Sequence, residues 1–365
     1  MRIVHLITHL RLGAGRVIVD LAVHQATHAG HRVMLVVSAD AEGGWRSDPL
    51  MAAELRAAGV AVGTTGDFFH RDPARLDHAA TRLRSLIGAW DANTVVHSHT
   101  APGIAVARWS GAPRVIATCH GWSLDRPAEY VLQDALAFSL ADAIVSPSTY
   151  WAERVAALPG HPRVEVVPYG FDLSRYVDVI PQAGTRGSAR IACVGELTAR
   201  KGQDLLLDAM PAVWAARPDA ELHLFGDGDL RPALEARVRT LGADGSRVFL
   251  HGHVVAPYRT LPNYDLLVLP TRSDNQPVAI VEAMLAGMPI VSTIVGGIPE
   301  MIDQAGCGET VPSDRSDALS AGMLRVLARP DFPSLGARGR AFASSAYDVG
   351  SSAVRHEAIY GGVAR

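Results

Sequence analysis

The chain has 365 residues, 48% hydrophobic and 19% charged, with a formal net charge of -3 and a mean hydropathy of +0.13. This excludes extensive disorder, and at ~150 residues per domain the length predicts two domains, each able to bury its own core without staples. A pI of about 6.6 and the lack of any basic run with interleaved aromatics exclude a nucleic-acid footprint.

Taken in chain order, Ile3 to Ile7 is a short apolar run, Gly13 and Gly15 break it, and Val17, Ile18, Leu21 and Ala22 recur at helical spacing up to Gly30. Arg32 to Val37 is a second apolar run. Strand, glycine turn, helix, glycine stop and strand is the pattern of a right-handed parallel βαβ unit. It repeats at Thr94 to His97, Arg114 to Thr118, Ala143 to Val145 and Val164 to Val167, which predicts six or so parallel strands in one doubly wound domain over residues 1–172. Residues 173–189, rich in Pro, Gly and Ser after Pro181, read as a linker. A second α/β series fills 190–345, with strands at Arg190 to Val194, Glu221 to Phe225, Val248 to Leu250, Leu266 to Leu269 and Pro289 to Ser292. Helices are expected around 203–215, 230–241 and 277–286, and residues 346–365 read as a C-terminal helix returning to the first domain. Two Rossmann-like domains create an interdomain cleft, and ligands of open α/β sheets bind beyond the carboxyl ends of the strands.

Cys119, Cys193 and Cys307 are odd in number and far apart, which predicts neither a disulfide framework nor a zinc site and suits a cytoplasmic compartment. The N-terminal run lacks the length and cleavage site of a signal peptide. No apolar stretch of about 18 residues lacks a charge; the longest, Pro277 to Pro299, carries Glu282 and is broken by Gly287, Pro289, Gly296 and Gly297. A transmembrane anchor is not expected, while peripheral membrane contact stays open.

The 34 basic residues comprise a single lysine, Lys201, the rest being arginine. Chance survival would explain it, and so would a site that needs a compact ammonium rather than a guanidinium fork. Lys201 lies in Val194-Gly195-Glu196-Leu197-Thr198-Ala199-Arg200-Lys201-Gly202-Gln203, between a strand and a helix start, where a point charge beside free amides suits a diphosphate. Gly13-Ala14-Gly15 opens a helix after the first strand and suits an anion or merely a tight turn. The dinucleotide fingerprint fails, because Ile18 stands where a third glycine is needed and no acidic residue closes the second strand. In Pro270 to Met284, Asp274 lies in a loop, Pro277 at the helix start and Glu282 in an apolar helix. Asp274 suits an N-cap role or a polar ligand, whereas an unpaired charge at Glu282 would be costly unless it met a partner such as ribose hydroxyls. His120, after a strand, points towards the cleft; His97 and His99 share a face but want a third ligand for a metal.

These stretches, with Val167-Pro168-Tyr169-Gly170-Phe171-Asp172, Phe225-Gly226-Asp227-Gly228 and Gly296-Gly297-Ile298-Pro299-Glu300, occur in an order and at a spacing that resemble the retaining, GT-B-fold glycosyltransferases of family 4 over almost the entire chain. The resemblance implies a UDP-, GDP- or dTDP-linked sugar donor held by the second domain, and a small-molecule, polysaccharide or lipid-linked acceptor held by the first. It implies that Glu282 binds ribose, Lys201 the diphosphate with Gly13 and Gly15 nearby, and His120 the transferred sugar. Asp274, Asn275, Gln276, Pro277 and Val278 would hold sugar hydroxyls, and the backbone of Gly252, His253 and Val254 would meet the base. No metal or cofactor is implied. Asp227-Gly228-Asp229 lies within the second α/β series and reads as a turn. Two positions depart from the family: Glu196 stands where arginine is common, and Asp274 where glutamate is. Loss of one charge-assisted contact to phosphate weakens binding by about 1.5–3 kcal/mol unless Arg200 compensates. The alternatives are a nucleotide-sugar epimerase on the same fold and a non-catalytic sugar-nucleotide-binding protein. Trp45, Phe68, Phe69 and His70 are candidates for the acceptor side or for simple packing.

Overall fold

The computed structural model describes residues 1–38, 48–121, 127–179 and 189–362. The first unit comprises Met1–Asp172 with Tyr347–Arg365. Its elements in chain order are β1 (Arg2–Ile7), α1 (Leu12–Thr27), β2 (Arg32–Ser38), α2 (Pro49–Ala57), β3 (Ala61–Thr65), α3 (Pro73–Ile87), β4 (Thr94–Ser98), α4 (Ala101–Trp109), β5 (Val115–Thr118), α5 (Ala128–Ser139), β6 (Ala143–Ser146), α6 (Thr149–Ala156) and β7 (Arg163–Val166). The seven strands are ordered β3-β2-β1-β4-β5-β6-β7 and pair in parallel. The strand order reverses between β1 and β4, where the register sets His5 opposite His97.

Alternation along β1 explains the two cores. Val4 and Leu6 face α3, α4 and α5 through Leu83, Ile104 and Phe138. Ile3 and Ile7 face α1 and α2 through Ile18 and Leu55, and also meet Tyr360 of the C-terminal helix. His5 belongs by alternation to this second face.

The second unit, Leu173–Ala346, contains β8 (Arg190–Val194), α7 (Gln203–Ala216), β9 (Glu221–Phe225), α8 (Arg231–Thr240), β10 (Val248–Gly252), β11 (Leu266–Leu269), α9 (Val278–Leu285), β12 (Ile290–Thr293), α10 (Ile298–Ala305), β13 (Gly308–Val311), α11 (Ser316–Leu327) and α12 (Phe332–Ala346). Its parallel sheet runs β10-β9-β8-β11-β12-β13, with the reversal between β8 and β11. The last helix, α13 (Val349–Gly362), belongs to the first unit.

The doubly wound α/β reading is borne out by these two sheets. Sequence pattern missed β3 and β13, both edge strands. Their residues are mostly half-buried and carry Gly63 and Gly308, so they lack the apolar run of a central strand. Within the segment read as a linker, Leu173–Tyr176 forms a 3-10 turn that belongs to the second unit. Tyr176 is buried against Tyr258 with ring centroids 4.6 Å apart, and its carbonyl accepts a hydrogen bond from Arg340. Residues 180–188 lie outside the described residues, as do Trp45 and Trp122.

Candidate functional site

In the second unit the chemistry gathers at the strand-order reversal. After β8 the chain passes Gly195 and Glu196, makes a 3-10 turn over Ala199–Lys201 and enters α7 through Gly202, whose φ of +73° and close approach to the Pro270 carbonyl exclude a side chain. After β11 the loop Pro270 to Pro277 runs alongside. Thr271 Oγ1 and the Arg272 amide both donate to the Arg200 carbonyl, at 3.1 and 2.8 Å. The Arg272 guanidinium donates to the Ala199 carbonyl and forks onto Asp204 with two bonds of 2.9 Å. Burial alone would raise the Asp204 carboxyl, but these charge-assisted bonds outweigh it and hold the carboxyl below its ordinary range.

The clamp sets two cations on one carboxylate. Lys201 Nζ lies 2.5 Å from Asp274 Oδ2, and Arg200 Nη1 lies 3.6 Å from the same oxygen. Arg200 also donates to the Ser273 carbonyl at 2.9 Å. Asp274 is therefore the counter-ion of the lysine, while the α9 N-cap position is occupied by Pro277. The Lys201 stem and Gln203 both lie against Gly195; Gln203 Nε2 donates to the Glu196 carbonyl at 3.0 Å, while the Glu196 residue is itself exposed. Asn275, Gln276 and Glu282 are buried, with Val278 opening α9 and Glu282 in its second turn. Gly252 ends β10 in left-handed backbone, followed by exposed His253 and half-buried Val254.

In the first unit Gly13 and Gly15 fall within the first turn of α1, and the Gly15 amide already donates to the Arg11 carbonyl at 3.3 Å. His120 follows β5 and is joined to a file of buried side chains. Its Nδ1 lies 2.5 Å from the Tyr169 hydroxyl and its Nε2 3.3 Å from His99 Nδ1. His99 Nε2 lies 3.0 Å from His5 Nδ1, and His5 Nε2 2.8 Å from Gln25 Oε1. The Gln25 amide reaches Tyr360, which bonds His97 Nδ1 at 2.7 Å, and His97 Nε2 bonds Thr118 Oγ1 at 2.7 Å. Burial pushes the His5 and His120 rings down to about 4 and holds His97 and His99 well below the ordinary histidine range, so all four are neutral at pH 7.

His5 supplies the third histidine that the sequence pattern lacked: its ligand atoms and those of His97 and His99 lie within 4.8 Å of one another. All six ring nitrogens of this trio have protein partners, so a metal would have to displace the network rather than enter it. Sequence reasoning missed His5, Gln25, Tyr360 and Arg272 as members of these sites; only the pairing of β1 with β4 and the return of α13 join the first three. Phe68, a candidate for the acceptor side, is fully buried in the core, whereas Phe69 is exposed against His9. No helix among the described residues is long and apolar enough to cross a membrane.

Comparison with known proteins gives a consistent picture. Residues 188–329 match the profile described as Glycosyl transferases group 1, and residues 12–175 that described as Glycosyltransferase Family 4. The chain is 33% identical over 260 residues to the GDP-mannose-dependent monoacylated alpha-(1-6)-phosphatidylinositol monomannoside mannosyltransferase of Corynebacterium glutamicum, covering 64% of this chain and 66% of that protein. It is 30% identical over 278 residues to the GDP-mannose-dependent alpha-(1-6)-phosphatidylinositol monomannoside mannosyltransferase of Mycolicibacterium smegmatis, covering 69% and 71%. Among solved structures, Anabaena HepE in complex with UDP and glucose matches with a TM-score of 0.78 over 99% of both chains at 18% identity, a likeness of fold.

Proposed function

Because the chain belongs to the GT-B glycosyltransferases of family 4, glycosyl transferases group 1, we propose that it transfers mannose from GDP-mannose to a hydroxyl of a carbohydrate headgroup, with retention and without a metal. The donor and acceptor class are supported by the two mannosyltransferase relatives, whose names give GDP-mannose as donor and a phosphatidylinositol mannoside as acceptor. The three buried free cysteines are compatible with a cytoplasmic setting.

The observation that carries the mechanism is the convergence of Lys201 and Arg200 on Asp274. As the anomeric bond breaks, positive charge grows on the sugar and negative charge on the leaving diphosphate, so preorganised cations there lower the barrier directly. Lys201 and Arg200 fill this role, and Arg200 offsets the absence of an arginine at 196. Donor binding exchanges one partner of Lys201 for another: the phosphate takes the ammonium, and Asp274 turns to a sugar hydroxyl together with the backbone N–H groups of Asn275, Gln276 and Val278 around the start of α9. Glu282 accepts from the ribose hydroxyls, which gives its buried carboxylate hydrogen-bonding partners. Backbone at Gly252 to Val254 meets the guanine. Gly13 and Gly15 let the backbone come close to the diphosphate, and His120 receives a hydroxyl of the transferred sugar. The departing phosphate takes the acceptor proton, so no protein nucleophile is required.

Calorimetric titration with GDP-mannose, UDP-glucose and dTDP-glucose tests the reading, run without metal beside Lys201→Ala and followed by NMR of the product's anomeric centre. Binding of GDP-mannose to the wild type but not the variant, with an α-linked product, is the expected result. An epimerised free sugar nucleotide, or binding without turnover over a panel of mannoside acceptors, would replace the transferase reading.

A further inference from the structure

The file of side chains behind His120 has a property that belongs to none of its members singly. A neutral imidazole carries one proton, so a nitrogen that donates obliges the other to accept. Gln25 presents its carbonyl Oε1 to His5 Nε2 at 2.8 Å and its amino group to Tyr360. His5 must therefore be protonated at Nε2, which leaves Nδ1 to accept from His99 Nε2. His99 Nδ1 then accepts from His120 Nε2, and His120 Nδ1 accepts from the Tyr169 hydroxyl. In the other direction the Gln25 amino group donates to the Tyr360 oxygen, Tyr360 donates to His97 Nδ1, and His97 Nε2 donates to Thr118. Every bond is satisfied with one polarity running from Tyr169 to Thr118. Turning the Gln25 amide over would reverse every donor in the file.

We propose that Gln25 is a positioning residue that sets the tautomer of His120 through His5 and His99, and so reserves His120 Nδ1 as an acceptor for a hydroxyl. A hydroxyl on the substrate reaches this nitrogen by taking the place of the Tyr169 O–H. A phosphate oxygen, which can only accept, gains nothing there. The assignment of that hydroxyl to a sugar rests on the transferase reading above; the tautomer assignment does not. The low proton affinity of the buried rings supports it, since an imidazolium anywhere in the file would break the single polarity.

The test is long-range 15N–1H correlation on protein labelled at histidine, at pH 7. His5, His97, His99 and His120 are expected as Nε2–H tautomers, with His356 as Nδ1–H because its Nδ1 lies 2.8 Å from the Ser352 carbonyl. In Gln25→Leu, His5, His99 and His120 should become tautomer mixtures, and the KM for the sugar donor should rise about tenfold while the Kd for free GDP stays unchanged. Thr118→Val, which removes the other end of the file, should alter His97 and leave His120 as it was. An Nδ1–H tautomer at His120 in the wild type would overturn the proposal even if the leucine variant fails to fold. So would an unchanged His120 in a folded Gln25→Leu, or stoichiometric zinc uptake that abolishes the pattern. A correct tautomer pattern in a protein that turns over no sugar nucleotide would retain the Gln25 assignment and remove the transferase reading instead.

Discussion

Lys201 and Asp274, separated by 73 positions in the chain, form a contact of 2.5 Å between Nζ and Oδ2, with both side chains largely withdrawn from water at 14% exposure. The pair sits where β8 and β11 diverge, and Arg200 adds a second positive charge on the same oxygen. A carboxylate held between two cations balances their charge while no diphosphate is bound.

Removing the ammonium should therefore cost turnover as well as donor binding. Lys201→Ala is expected to lower kcat by about 10²–10³. Lys201→Arg should restore little of it, because a planar fork does not present the compact point charge that Nζ places 2.5 Å from Asp274. Steady-state kinetics on both variants check this; wild-type kcat in the arginine variant would show that only charge matters.

Asp274→Asn should separate binding from catalysis. With its counter-ion neutralised, the Lys201 and Arg200 pair meets the diphosphate without competition, so GDP should bind several-fold more tightly while kcat falls. Calorimetry and turnover together test it, and weaker GDP binding would mean that Asp274 organises the cations rather than competing for them.

Gly296 occupies left-handed backbone at φ +55°, and a Cβ there would lie 1.8 Å from the Asp274 carbonyl. Gly296→Ala should cost about 2–4 kcal/mol and displace the loop that carries Asp274. A thermal melt and kcat measured on the same preparation should both fall; an unaltered melt would show that the loop shifts without strain.

Acid should unfold the first unit in a histidine-dependent way. His5, His120 and His356 have folded values near 4, below the ordinary 6.5, because burial disfavours the charged ring. Above about pH 6.5 both folded and unfolded states are neutral, so nothing is lost. As pH falls from about 6.5 towards 4 the unfolded chain takes up protons that the folded rings refuse, and stability drops by about 1.4 kcal/mol per pH unit for each ring. Denaturant midpoints at pH 7, 6 and 5 should fall with roughly five protons taken up on unfolding, because burial holds His97 and His99 down as well, and a midpoint flat to pH 5 would show that the folded rings are protonated in that range.

Much of the fold was legible because parallel strands buried on both faces are nearly continuous apolar runs, as at Ile3 to Ile7 and Leu266 to Leu269. The edge strands β3 and β13 were not, since an edge needs no such run. Lys201 was singled out by composition, and Asp274 and Glu282 by charges placed in a loop and in an apolar helix. These are local signals, carried by neighbours in the chain. The partnership of Lys201 with Asp274, the second cation from Arg200 and the clamp by Arg272 were not local, because they depend on β8 lying beside β11.

The histidine file marks the same boundary. Sequence alone determined that His97 and His99 share a face, since side chains two apart on a strand point the same way. The pairing of His5 with His97 required the register of β1 on β4, and the entry of Tyr360 required the last helix to return to the first unit. Periodicity fixes which face of its own element a residue occupies, whereas hydrogen-bonded networks join faces of different elements, and only tertiary packing decides which faces meet.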